Sequence, residues 1–192
     1  MNYKTVIAVS VLLFTSACQH QGKTAQINAN QNEANIAPCI RTVMALDEGR
    51  WAYMGTIARL NGKFRTYETT SVHAAAGPDM WSSKSFGGDV GGDEESAEIG
   101  YVKLVGTSIV PIEDGELIEA AAVNYLACVG PDAEGRYQAT REYKIPNGDG
   151  TYDQAKNVSW YSQHGSYFVE DNFNEAGRVV ARRSGVNTPI KE

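Results

Sequence analysis

The chain has 192 residues, 42% of them hydrophobic, and a formal net charge of −6. That suffices for one domain with a real core and is too short for two large ones. No basic stripe is present, which argues against nucleic acid as a partner. Ten tyrosines, nineteen glycines and three tryptophans point instead to a β-rich domain with tight turns.

The N-terminus pairs a cationic leader, Met1-Asn2-Tyr3-Lys4, with an apolar run from Val6 to Phe14 that only Ser10 interrupts. About nine such residues suit the middle of a signal peptide and fall far short of the roughly 20 that span a bilayer. The run closes on Thr15-Ser16-Ala17-Cys18. These residues resemble the lipobox of bacterial lipoproteins, in which small side chains admit the peptidase and the cysteine thiol accepts diacylglycerol. The family usually carries Leu three residues before the cysteine, where this chain has Thr15. The resemblance implies a signal peptide over 1–17, lipidation of Cys18 and a membrane as partner through that lipid. Gln19 stands where Asp favours inner-membrane retention in enterobacterial lipoproteins. By that resemblance the protein is an outer-membrane lipoprotein of the cell envelope, facing the periplasm or the cell surface.

Residues 18–35 are rich in Gln, Asn and Ala, with Ile27 the single aliphatic side chain. Such a segment buries too little apolar surface to offset its ordering entropy and is expected to be a disordered tether, roughly 20–25 Å in reach. Residues 36–192 form the single globular domain. Its two cysteines, Cys39 and Cys128, are expected to pair in an oxidising envelope.

Ile36, Ile40, Val43 and Met44 fall at helical spacing, with Pro38 suited to a first turn, and predict a short helix over about 38–46. Strands follow at 50–60 and 63–73, flanking the hairpin signal Asn61-Gly62. Further strands are expected at 80–86, 99–110, 136–144, 151–162, 166–173 and 178–183. Short connections make successive strands antiparallel neighbours, hence a meander. The segment Leu117 to Val129 is ambiguous. Glu119-Ala120-Ala121-Ala122 favours helix, whereas Asp114-Gly115 and the alternation of Val123, Tyr125 and Val129 favour strand. As a strand it completes an up-and-down antiparallel barrel of about eight or nine strands. As a helix it gives an α+β tandem of two helix-plus-four-strand units, supported by the echo of Glu48-Gly49-Arg50-Trp51 in Glu134-Gly135-Arg136-Tyr137. The barrel is the favoured reading. In that form Glu48-Gly49-Arg50-Trp51 after a short helix, and Gly130-Pro131-Asp132 before Gly135-Arg136-Tyr137, resemble the lipocalin-like group.

Few residues offer chemistry. His20, His73 and His164 lack metal-ligand spacing and a nucleophile to activate. Asp89, Asp93, Glu94, Glu95 and Glu98, and the group Asn147, Asp149 and Asp153, read as solvated acidic loops rather than Ca²⁺ sites. Glu68, Glu142, Glu170 and Asp171 lie in strands, where salt-bridged or exposed positions explain them better than paired catalytic carboxylates. No catalytic, metal or cofactor residue is assigned. Trp51, Tyr53, Trp81, Tyr125, Tyr143 and Trp160 form the candidate ligand pocket, because alternate strand residues share the barrel interior. Closing the meander is expected to bring Trp51 and Trp160 together. The leading expectation is a non-enzymatic binding protein for a small apolar or amphiphilic ligand. The alternative is an interaction module that docks on another envelope protein as inhibitor or assembly factor.

Overall fold

Asn61-Gly62 tolerates the positive φ that a two-residue hairpin demands, and the chain reverses there with Gly62 at φ 78°. The computed structural model describes residues 33–191, so the expected signal peptide, Cys18 and most of the expected tether lie outside the described residues. One helix, α1 (Glu33–Leu46), precedes β1 (Gly49–Arg59), β2 (Phe64–Gly77), β3 (Met80–Phe86), β4 (Gly100–Val105) and β5 (Ser108–Glu113). Then come β6 (Glu116–Leu117), β7 (Val123–Val129), β8 (Tyr137–Pro146), β9 (Tyr152–Ser162), β10 (Gly165–Phe173) and β11 (Val179–Pro189). All pairings are antiparallel, and β1 pairs with β11 from Trp51↔Pro189 to Arg59↔Ala181. That contact closes the sheet. The two-residue β6 hangs from β5, and the wall passes directly from β5 to β7. Among the described residues the result is a mainly β protein built as a closed ten-strand up-and-down barrel with one short helix.

Several boundaries differ from the sequence expectation. Glu33 to Asn35 belong to α1 rather than to the tether, so Pro38 lies inside the helix. The expected strand 99–110 is two strands, because Gly106 takes φ 61° and turns the chain between β4 and β5. The ambiguous segment resolves as strand. Glu119–Ala121 makes only a 3₁₀ turn before β7 begins, so the tandem α+β alternative is overturned. The last strand continues to Pro189 because its full length pairs with β1.

Two glycines shape the closing seam. Gly55 and Gly185 face each other across β1 and β11. A Cβ on Gly55 would lie 2.5 Å from the Tyr67 ring, and one on Gly185 would lie 2.7 Å from the Phe168 ring. The missing side chains make room for these aromatics to lie against the backbone. Tyr53 stacks on Phe168 with ring centroids 5.9 Å apart and meets Tyr67 at 5.4 Å.

Helix α1 covers one end of the barrel. Its buried stripe of Ile36, Ile40 and Val43 joins Trp81, Leu104, Ile109, Tyr125, Cys128, Ala139 and Tyr161 in the main apolar core. Two links orient it. The expected disulfide joins Cys39 to Cys128 on β7, and Arg41 grips Asp79 in the β2–β3 turn through bonds of 2.6 and 2.9 Å.

Candidate ligand-binding site

Beyond that core the barrel interior turns polar. The inward positions of β9 are Ala155, Asn157, Ser159 and Tyr161, and Glu170 and Asn172 face inward from β10. Glu170, Asn157 and Ser159 are only 2–3% exposed. Groups buried this deeply need partners. Glu170 accepts hydrogen bonds from the Tyr143 hydroxyl and from Asn157 Nδ2, and lies 3.4 Å from Arg183 Nη1. Burial, and then the Glu170 charge, push the Tyr143 hydroxyl well above its ordinary pKa. Tyr53, bonded to Tyr67 at 2.8 Å, is raised in the same way, chiefly by burial.

Arg141 on β8 is the centre of the arrangement. Its Nη2 donates to Asn157 Oδ1 at 2.8 Å and to Ser159 Oγ at 2.7 Å, and Ser159 in turn donates to Asn157. The guanidinium lies 5.7 Å from the Tyr125 ring centroid and 6.0 Å from that of Tyr161. Burial opposes its charge, but Tyr161, Tyr125 and Tyr143 around it hold its pKa above the ordinary value. Among the described residues no carboxylate forms a salt bridge with it, and its Nε has no hydrogen-bond partner. Asp47, just past α1, approaches from the helix end. Burial raises its pKa, while His73 and Arg141 oppose that rise. His73 Nδ1 lies 3.4 Å from its Oδ2, and the Trp51 indole donates to its backbone carbonyl at 2.8 Å.

Two cavities meet at these groups. The first, about 240 Å³, is lined by Tyr53, Arg141, Asn157, Glu170, Arg183 and Asn187 among others. Asn187 donates to Ser166, but its Oδ1 has no partner. The second, about 200 Å³, has Met44, Trp81, Val102, Ile109, Val123 and Tyr125 in its wall. Asp47 and Arg141 line both. Among the described residues, the side chains lining these cavities therefore include a buried, unpartnered cationic donor, Arg141 Nε, and a buried, unpartnered acceptor, Asn187 Oδ1.

Five of the six expected pocket residues face inward. Tyr53 and Tyr143 line the first cavity, Trp81 and Tyr125 line the second, and Trp51 packs beneath Asp47. Trp160 does not. It alternates with the buried Ser159 and Tyr161, so it projects from the outer face and stacks on Tyr167 with centroids 4.5 Å apart. Strands β10 and β11 also separate its strand from β1, so the expected meeting of Trp51 and Trp160 does not occur. Of the strand carboxylates only Glu170 faces inward, while Asp171 forms a two-bond pair with the exposed Arg182. The acidic loop is held by Arg65 on Asp89 and by Arg50 and Lys84 on Glu94. Asp149 accepts from Thr151 inside its own turn. Sequence reasoning passed over Arg141, Asp47, Arg183 and Asn187. The available signal was Arg141 at an inward phase of β8, between Ala139 and Tyr143.

No protein-family model matches the chain, and no curated protein sequence matches it. Among solved structures it is similar to a protein of unknown function from the DUF3598 family of Nostoc punctiforme. The TM-score is 0.48 and the identity 13%, over 77% of this chain and 48% of that one. The chain thus spans about half the length of that neighbour. It is also similar to the S-type phycobiliprotein lyase of Guillardia theta, with TM-score 0.48 and 9% identity over 88% of this chain and 99% of that one. At these values no residue role is carried across.

Proposed function

We propose that this is a lipid-anchored outer-membrane protein of the cell envelope whose barrel binds a small organic anion without transforming it. The supporting observation is Arg141, a guanidinium inside the barrel with an unpartnered Nε, no carboxylate salt bridge among the described residues, and cavities on two sides. A half-buried guanidinium with neutral partners but no carboxylate is only partly compensated, and a bound carboxylate supplies charge-assisted hydrogen bonds to it. The polar lining of the first cavity adds an anionic group to the small apolar or amphiphilic ligand expected from the aromatics. Support for the anchor is the lipobox-like Thr15-Ser16-Ala17-Cys18.

The test is a titration of the isotope-labelled domain with straight-chain carboxylates from acetate to decanoate, following the Arg141 Nε–H signal by NMR. At least one member should shift that signal and bind at least tenfold more weakly to Arg141→Met, the loss of one charged hydrogen bond. Equal affinity for both proteins, or no shift with any member, overturns the reading. A second reading, docking on another envelope protein, has one observation in its favour. Met54, Val186 and Tyr167 lie side by side on the outer face of β1, β11 and β10 and are 43–56% exposed.

A further inference from the structure

The two cavities differ in chemistry, and that difference describes a ligand. On one side of Arg141 the wall is Asn157, Ser159, Glu170, Arg183 and Asn187. On the other it is Met44, Trp81, Val102, Ile109 and Val123. Asp47 and Arg141 belong to both walls and so stand at the boundary. An anionic group drawn to the Arg141 guanidinium, which lines both cavities, lies at this boundary, with polar space behind it and apolar space ahead. Resting on the reading of Arg141 as an anion site, we infer that the ligand is an amphiphilic carboxylate. Its apolar part occupies the chamber beneath α1, and its carboxylate lies between Arg141 and Asp47.

Burial raises the Asp47 pKa, which eases uptake of a proton that its carboxyl donates to an incoming carboxylate. His73, Arg141 and the Tyr125 and Tyr161 hydroxyls are the other titratable groups facing the boundary. The chamber of about 200 Å³ limits the tail. Taking about 30 Å³ as the liquid volume of one water, it holds the equivalent of roughly seven waters, room for a short chain or a single ring. Ser82 and Ser83 also border it, which gives a site for filling it by substitution without touching Arg141.

The straight-chain carboxylates test this through the dependence of affinity on length. Affinity should rise roughly fourfold per methylene and level off once the chamber is full. Ser83→Leu should abolish the rise while leaving acetate binding unchanged. Independently, the terminal methyl protons of bound hexanoate should show nuclear Overhauser contacts to the Trp81 indole in the unmodified protein. That measurement decides the matter even where Ser83→Leu fails to fold. Affinity that is flat with length, or a methyl in contact with Asn157 and Asn187 instead of Trp81, overturns the two-chamber reading and leaves the Arg141 anion site standing. Binding that ignores Arg141→Met removes the anion site itself.

Discussion

Asp47 follows the last turn of α1 and turns its carboxyl into the barrel, 3.4 Å from His73 and on the boundary of both cavities. Burial raises its pKa above the ordinary carboxylate range, and its attraction to His73 and Arg141 recovers only part of that cost. The folded protein thus holds this proton more tightly than the unfolded chain. Stability is fully present below the ordinary aspartate pKa and declines as pH rises through the raised folded value. Asp47→Asn should remove that decline and melt higher than the parent at neutral pH, while binding carboxylates at least as tightly, because Asn keeps a donor and carries no charge. Melting curves between pH 3 and 8 check it, and parallel slopes for both proteins would refute it. At this scale the sequence was legible for Trp51, Tyr53, Trp81, Tyr125 and Tyr143, since large aromatics on alternating strands face the interior. Trp160 was misplaced because β9 inverts the usual rule. Its inward positions carry Asn157 and Ser159, and its outward positions carry Val158 and Trp160. The phase becomes clear only when the network of Arg141 and Glu170 gives those polar groups partners.

Helix α1 is too short to persist alone, as isolated helices under about 12–15 residues are marginal in water. Its stability comes from Ile36, Ile40 and Val43 in the core and from the Cys39–Cys128 bond, which spans 89 residues of sequence. For a loop of that length the chain-entropy account gives roughly 4–5 kcal/mol as an upper figure. Reduction should lower the melting temperature by several degrees and weaken carboxylate binding, because the helix also brings Met44 to the apolar chamber. Calorimetry and titration on the reduced and oxidised protein measure both, and retention of full affinity after reduction would show that α1 stays docked without the bond. The helix was legible from its apolar spacing, though it starts earlier than Pro38, at Glu33. The hairpin at Asn61-Gly62 was legible from turn chemistry. The break at Gly106 was not, since a lone glycine in an apolar run is compatible with a continuous strand. The segment 117–129 carried both signals because its Ala-rich start became a 3₁₀ turn and its alternating end became β7.

Across the whole molecule the wall is uneven. The closing seam β1–β11 carries nine register pairs, whereas β5 and β7 share two, Ser108↔Asn124 and Ile109↔Val123. The excursion through β6 and the 3₁₀ turn fills the rest of that interval. Fewer ladder bonds mean a lower local opening energy. Hydrogen exchange should therefore be fastest among barrel strands in β5 and the start of β7, and slowest along β1, β10 and β11. The apolar chamber lies directly behind this thin region, with Ile109 and Val123 in its wall. Carboxylate binding should slow exchange there more than elsewhere. Uniform slowing around the ring would show that the thin seam has no part in ligand entry.

The pairing of the first and last strands carries a further consequence. In the finished barrel β1 and β10 each have neighbours on both sides, and β11 is the neighbour they share. Among the described strands it is also the most C-terminal, made after both of its partners. Until Val179–Pro189 is in place, both partners present rows of unsatisfied backbone donors and acceptors, the surface on which other chains add strands. The outward side chains along those rows include Met54, Tyr167 and Val169, all exposed and apolar or aromatic. A chain that ends early would thus lose more than one strand's worth of stability. It would expose two sticky edges to its neighbours, and aggregation rather than simple unfolding would be its fate.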